Sequence, residues 1–336
     1  MKKPERQLNL VSSPPRSSVT VSVPARLHLG FLDLHGGLGR RFGSIGLAIN
    51  GLSTRLTIEH AAQTRTEGPD STRARRYLER MQAHLGLVGD HHVKVNEAVP
   101  AHAGLGSGTQ LALAIATGLR SLHRLAADIR DDATVLGRGA RSGIGIGLFG
   151  AGGLVVDGGR GEATKVPPVV SRMAFPEQWR IIVVLDPARQ GMHGADEAEA
   201  FTRLPPMPAA DAAQLCRLVL MQVLPAAAER NLAVFGSAIK ELQTRLGDYF
   251  APAQGGRRFG SPDVAAVLHH LDGEGAFGIG QSSWGPTGFA FAESESKANQ
   301  LVALARRHPK GRGLDIRICA GLNRGAQINA DTPATV

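Results

Sequence analysis

Pro100-Ala101-His102-Ala103-Gly104-Leu105-Gly106-Ser107-Gly108-Thr109-Gln110 runs straight into Leu111-Ala112-Leu113-Ala114-Ile115-Ala116. This junction constrains the fold more than any other stretch. Three glycines alternate with small residues, and an Ala/Leu-rich helical run begins at once. Such a loop presents consecutive backbone N–H groups, and the helix start adds unpaired N–H groups and a positive dipole end. That arrangement seats phosphate or pyrophosphate. The alternative is a tight loop between a strand and a buried helix. No Gly-Lys-Ser/Thr follows the glycines, so the loop is not a Walker loop.

The chain has 336 residues, the length of about two domains. Hydrophobic residues make up 43% but aromatics only 4%, which predicts an aliphatic, Ala/Gly-rich core. No stretch approaches the roughly 18 apolar residues of a membrane span, and Met1 to Arg6 have no apolar leader core. Residues 1–18, with their Ser/Pro run, read as a disordered lead-in. Cys216 and Cys319 lack metal-ligand spacing and read as reduced core thiols of a cytoplasmic protein. The net charge of +9 comes from scattered basic residues. With few aromatics for base stacking and no nucleic-acid motif, that charge fits anionic small-molecule substrates and not nucleic acid.

Alternating patterns predict strands at 19–23, 54–59 and 91–97, and apolar runs predict further strands at 44–50, 153–157, 179–186, 287–293 and 313–319. Helices are expected at 71–86, with arginines on its exposed face, at 107–124, across 209–247 with a break or bend at Pro225, and at 262–272 and 294–308. The elements mix without strict βαβ alternation, so the class is α+β. Two units are expected, 19–165 and 166–330, divided where Gly158-Gly159-Arg160-Gly161 and Pro167-Pro168 interrupt the pattern.

Four segments could carry chemistry. In a strand, Arg26 and His28 share one face, suited to a phosphate or carboxylate. Asp33 orients a base, holds a metal or caps the following turn. The alternative for this cluster is an exposed strand edge. Gly145-Ile146-Gly147-Leu148-Phe149-Gly150 spells a dinucleotide fingerprint but lacks a clear strand before it and the acid after it, so close backbone packing or another ligand-facing loop is the better reading. His193, between a strand and a helix, is an acid/base candidate or a solvated loop histidine. Gly278 to Gly288 places Gln281, Ser282, Ser283 and Trp284 among glycines. Trp284 either stacks on a ligand ring or sits in the core of a hairpin. The pairs His91-His92 and His269-His270 read as structural or surface histidines, because neighbours in a strand or helix point apart.

The segment from Pro100 to Ala114 resembles the glycine-rich phosphate loop of the GHMP kinase superfamily. Many of its kinases carry a catalytic aspartate where this chain has Ile146, which cannot take a proton. Arg26-Leu27-His28 through Asp33, Gly104-Leu105-Gly106-Ser107-Gly108-Thr109-Gln110, His193-Gly194 and Gly280-Gln281-Ser282-Ser283-Trp284-Gly285-Pro286-Thr287 together resemble the β-ribofuranosylaminobenzene 5'-phosphate synthase family within that superfamily. The resemblance spans about residues 19 to 320. It implies an N-terminal ribosomal-protein-S5-like domain and a C-terminal ferredoxin-like domain. It also implies a decarboxylating phosphoribosyltransferase that joins 4-aminobenzoate to phosphoribosyl pyrophosphate, in tetrahydromethanopterin biosynthesis, with Mg2+ and in a homodimer. On that reading Asp33, His28 and His193 are catalytic. Arg26, Gly104, Gly106, Ser107, Gly108, Thr109, Gln281, Ser282, Ser283 and Trp284 bind substrate. A small-molecule kinase with its base elsewhere and a non-catalytic ligand sensor are the competing classes.

Overall fold

A computed structural model describes residues 16–331. In chain order the elements are β1 (Ser18–Asp33), β2 (Phe42–Ala61), β3 (Arg65–Glu67), α1 (Ser71–Leu85), β4 (Asp90–Glu97), α2 (Ser107–Leu122), α3 (Ile129–Val135), α4 (Ile144–Ala151), β5 (Leu154–Asp157) and β6 (Val169–Met173). They continue with β7 (Arg180–Leu185), α5 (Gly194–Arg203), α6 (Ala209–Leu218), α7 (Leu224–Ala228), α8 (Leu232–Phe250), α9 (Pro262–Gly273), β8 (Phe277–Gln281), β9 (Gly288–Ala292), α10 (Glu295–Arg307), β10 (Asp315–Ala320) and β11 (Gln327–Asp331).

A seven-stranded sheet runs β11-β1-β2-β4-β3, with β5 also pairing β2 and β6 pairing β5. The strands expected at 44–50 and 54–59 are one strand, β2, bent at Asn50-Gly51, where the register against β1 shifts between Pro24 and Ala25. The bend lets one strand serve two partners: its far half pairs β4 and its near half pairs β5. Val19, Val21 and Val23 pack under α1 and α2. Beyond the bend, Ala25, Leu27, Leu29 and Phe31 join a second core with α6 and α8. The aliphatic composition appears there directly: α2 buries Leu111 to Ala116 without a break.

The second sheet is antiparallel, in the order β10-β7-β9-β8. Read along the chain this is the 4-1-3-2 order of a βαββαβ ferredoxin-like unit, with α9 and α10 covering one face through Val264, Leu268, Leu301 and Val302. The helical run over 209–247 does not end at Pro225: a π-turn at Val219–Val223 leads into α7, which contains Pro225, and the interruption comes at 229–231, where Arg230 takes φ +58°.

Several boundaries differ from the sequence reading. The expected division at 165/166 does not follow the hydrogen bonding, because β6 and β11 both belong to the first sheet. β1 opens at Ser18, and the N–H of Ser17 donates to Asp331 O, so the end of the expected lead-in is tied to β11; its residues 1–15 lie outside the described ones. Cys319 is buried and burial pushes its thiol up to about 11. Cys216 is exposed, not in the core, because it falls on the outer face of α6. Among the described residues no helix is long and apolar enough to cross a membrane.

Candidate active site

The glycine loop, the first turns of α1, α2 and α5, strand β1 and the 283–285 loop surround a cavity of about 570 Å3. Arg26 and His28 enter it from one face of β1, as the strand period requires. The lining carries six arginines: Arg26, Arg73, Arg76, Arg80, Arg138 and Arg141. Three of them hold a buried Nε–H with no hydrogen-bond partner: Arg26, Arg73 and Arg138. Buried donors without acceptors are costly, so these groups are arranged for an acceptor that enters the cavity.

The glycines have two different uses. Gly106 caps α2 at φ +81°, and a Cβ there would lie 2.6 Å from Arg26 Nε. Gly145, from the false fingerprint inside α4, would press on the same atom at 3.0 Å. These two glycines make the slot for Arg26. Gly104 instead makes room for the Ser282 carbonyl, which would lie 2.2 Å from its Cβ. Gly108, on the first turn of α2, lies under two guanidinium groups. Its Cβ would stand 3.3 Å from Arg138 Nη1 and 3.6 Å from Arg73 Nη1. Arg73 also donates to Ser107 Oγ at 3.4 Å and pairs with Asp70, while Arg138 donates to the Tyr77 hydroxyl. Thr109 completes this turn on the cavity wall.

Charge in the site is set by burial. Desolvation lowers Arg26 to about 10, against the pull of Glu197 and Asp157, and leaves it a cation at neutral pH. His28 is lowered to about 3, first by burial and then by Arg26, so it is neutral in the same range. Glu197 is pushed up by burial, although Arg141, Arg26 and His193 draw it down. Its carboxylate meets Arg141 at 2.5 Å. Asp157 is buried below this group and is raised by burial. It accepts from Ser44 and from the N–H groups of Gly143 and Gly159, which pins the start of α4.

Four of the expected site residues are placed otherwise. Asp33 does not line the cavity: its Oδ1 accepts from the N–H groups of His35 at 2.8 Å and Gly36 at 2.7 Å, closing the turn after β1. Ser282 and Gln281 spend their side chains on the scaffold. Ser282 Oγ–H donates to Gly104 O at 2.8 Å and accepts from His28 N–H at 3.0 Å, which clips the second unit to β1 and the glycine loop. Gln281 accepts from Gly260 N–H at 2.6 Å and donates to Ser283 O at 2.9 Å. Trp284 lines the cavity but has no free face. It packs against Phe250 and edge-on to Phe201, leaving its Nε1–H without a partner. It offers a hydrogen bond, not a stacking surface. Ser283, at φ +57°, stays on the lining.

His193 is in the cavity and stacks on His102 at 3.5 Å between centroids. Its Nδ1 contacts Gly191 O at 2.8 Å. A carbonyl only accepts, so Nδ1 carries a hydrogen. Arg73, Arg76, Arg80, Arg138, Arg141, His102 and Glu197 were not singled out from sequence. The first three recur at i, i+3 and i+7 on α1, a signal that one helix face is cationic.

The lining has one carboxylate, Glu197, and it is engaged by Arg141 among five other guanidinium groups. This donor set does not fit a resident magnesium ion, which wants free oxygen ligands.

The chain matches the family model "GHMP kinases N terminal domain" over residues 72–151 and "GHMP kinases C terminal" over 223–310. The β-ribofuranosylphenol 5'-phosphate synthase of Methanothermobacter thermautotrophicus is 32% identical, over 91% of this chain and 97% of that protein. The chain belongs to the β-ribofuranosylphenol 5'-phosphate synthase family, within the GHMP group. The synthase of the same name from Archaeoglobus fulgidus is 31% identical over 91% of this chain and 97% of its own. Two solved structures share the fold of this synthase family member at low identity. Homoserine kinase from Cytophaga hutchinsonii has a TM-score of 0.65 at 15% identity, covering 96% of this chain and 100% of that one. Mevalonate diphosphate decarboxylase from Staphylococcus aureus has a TM-score of 0.62 at 14%, covering 93% and 98%. Ile146, at the position where the kinases are expected to hold an aspartate, is buried in the core beneath α2 and off the lining.

Proposed function

We propose that this protein transfers the ribose 5-phosphate unit of phosphoribosyl pyrophosphate to 4-aminobenzoate, with loss of CO2 and pyrophosphate, as a step in tetrahydromethanopterin synthesis. The observation that carries the reading is the cavity of six arginines with three unpartnered buried Nε–H groups. Both substrates are anions, and the donor has two phosphate-bearing ends. In this reading Arg73, Arg138 and the first turn of α2 hold one anionic end of the donor, and Arg26 holds another anionic group beside Gly106.

The neutral imidazole of His28 suits this chemistry. The C1–O bond of the ribose breaks, and its electron pair leaves with pyrophosphate. The benzoate ring carbon bearing the carboxylate forms the new bond to C1, driven by the para amino lone pair. The ring–carboxylate bond then breaks, its electrons restore aromaticity, and CO2 leaves. No proton is added or removed. The residues have only to orient two anions and hold the charge of the departing pyrophosphate. In this reading neutral His28 and the Trp284 N–H shape and orient, and the Glu197 carboxylate faces the positive charge developing on the ribose.

The relatives' name carries a phenol, which by the same chemistry would come from 4-hydroxybenzoate, a para hydroxyl replacing the amino donor. The test incubates the protein with phosphoribosyl pyrophosphate and carboxyl-labelled 4-aminobenzoate or 4-hydroxybenzoate, with and without Mg2+. Labelled CO2 released with one pyrophosphate per turnover supports the reading, and the faster acid identifies the acceptor. Donor binding without CO2 from either acid would overturn it in favour of a sensor. ADP formation from ATP with an alcohol acceptor would overturn it in favour of a kinase.

A further inference from the structure

A second cluster of chemically capable side chains lies at the opposite end of α2 from the cavity. His60 on β2 and His91 on β4 are directly opposed in the antiparallel register, so their rings leave the same face of the sheet. His92, the neighbour, turns the other way to Glu59 and Glu67. His123 caps the C-terminus of α2. The ring of His60 is 5.5 Å from that of His91 and 5.0 Å from that of His123, and the last two are 5.0 Å apart. One nitrogen from each histidine lies within 4.8 Å of the others. The Nε2 atoms of His91 and His123 face each other at 2.7 Å. Gln82 holds His91 from behind: its Nε2 donates to His91 Nδ1 at 2.9 Å and to Gly89 O at 3.1 Å. The nearest carboxylate in sequence, Asp90, is occupied by the Thr64 N–H at 3.0 Å.

The reaction proposed above makes no use of these rings. The 16 residues of α2 place them about 24 Å from the glycine loop. Three convergent imidazole nitrogens without a free carboxylate are a ligand set for a borderline-soft ion, not for magnesium or calcium.

We propose that His60, His91 and His123 bind one divalent transition-metal ion of the zinc type, with water as the fourth ligand on the solvent side of His60. Tetrahedral Zn–N bonds of about 2.0–2.1 Å place ligand nitrogens roughly 3.3 Å apart. That separation falls between the closest and widest spacings here, so ring rotations reach it without moving the strands. On binding, the His91 proton shifts from Nε2 to Nδ1, and the Gln82 amide turns so that its Oε1 accepts it. This is the usual role of a group behind a metal-bound histidine. The ion ties β2, β4 and the end of α2 together and takes no part in turnover.

The test uses the full-length, untagged protein stripped with a chelator and titrated with Zn2+ or Co2+ alone. Calorimetry should give one ion per chain, Co2+ should develop a tetrahedral ligand-field band, and Zn2+ should raise the Tm. His60→Ala and His123→Gln should each weaken binding by about 100-fold or more, since even a group behind a ligand is worth 10–100-fold. His60 reaches solvent, so His60→Ala carries the test should His123→Gln fail to fold. CO2 release should be the same with and without Zn2+. Absence of binding would overturn the proposal. So would binding that survives His60→Ala, or that is lost in His84→Ala instead, which would place the ion at His84 and Asp131.

Discussion

Gly106→Ala isolates the contact on which the proposed donor site depends. Gly106 sits at φ +81°, where an L side chain costs about 1–2 kcal/mol of stability. The new Cβ would also stand 2.6 Å from Nε, 2.7 Å from Cγ and 3.0 Å from Cζ of Arg26. Gly145 closes the other side of the Arg26 slot, so the guanidinium must leave its position. Losing one hydrogen bond to a charged group is worth about 1.5–3 kcal/mol, or roughly 10–150-fold in donor affinity. Gly39→Ala is the matched control. It has φ +77° and nothing within 4 Å of its Cβ, so it carries the conformational cost alone. Urea unfolding and calorimetric titration with phosphoribosyl pyrophosphate should show both variants destabilised and only Gly106→Ala weakened in binding. Gly106→Val should be worse on both counts, because a branched side chain fits the slot less well. Donor affinity in folded Gly106→Ala within twofold of Gly39→Ala would refute the assignment of Arg26 to the donor or its neighbour in the cavity.

The other predictions are shorter. With ATP and simple alcohols the protein should form no ADP above background, because Ile146 is buried and apolar at the position expected to hold the kinase base; alcohol-dependent ADP formation would refute this. Asp33→Asn should retain turnover within about twofold, since Asn keeps the Oδ1 that closes the turn. A loss of 10²-fold or more, the usual cost of removing an acid or base, would return Asp33 to the chemistry. His28 resists protonation in the folded protein down to about 3, whereas the unfolded chain takes up that proton near 6.5. The unfolded state therefore binds more protons between these values, and stability falls as pH drops through the window. His28→Gln should show a shallower loss of unfolding midpoint between pH 6.5 and 4, and parallel curves for the two proteins would contradict the burial of a neutral imidazole.

The local patterns of this chain were strong enough to announce many elements before folding. Alternating Val19, Val21 and Val23 and the apolar run from Leu111 to Ala116 specify their conformations by near-neighbour sterics and periodicity. The glycine-rich junction at 104–108 likewise marked the start of α2, because the positive-φ turn at Gly104 and Gly106 is local to the backbone itself. Other features needed the packed chain. β6 and β11 are short and largely exposed, with little apolar signal of their own, and they join the first sheet only because partner strands offer an edge. Arg73 and Arg138 are far apart in sequence, and nothing local to either says that both guanidinium groups will converge over Gly108. Asp33, Gln281 and Ser282 sat in the most informative motifs, yet their hydrogen bonds close a turn or clip two loops together. A side chain's neighbours decide whether it serves the ligand or the scaffold, and those neighbours arrive from other parts of the chain. The same holds for His60, His91 and His123, which strand register and helix packing bring together. Chain periodicity sets the direction of a side chain along its own element; only burial against distant elements sets its charge, its partners and its task.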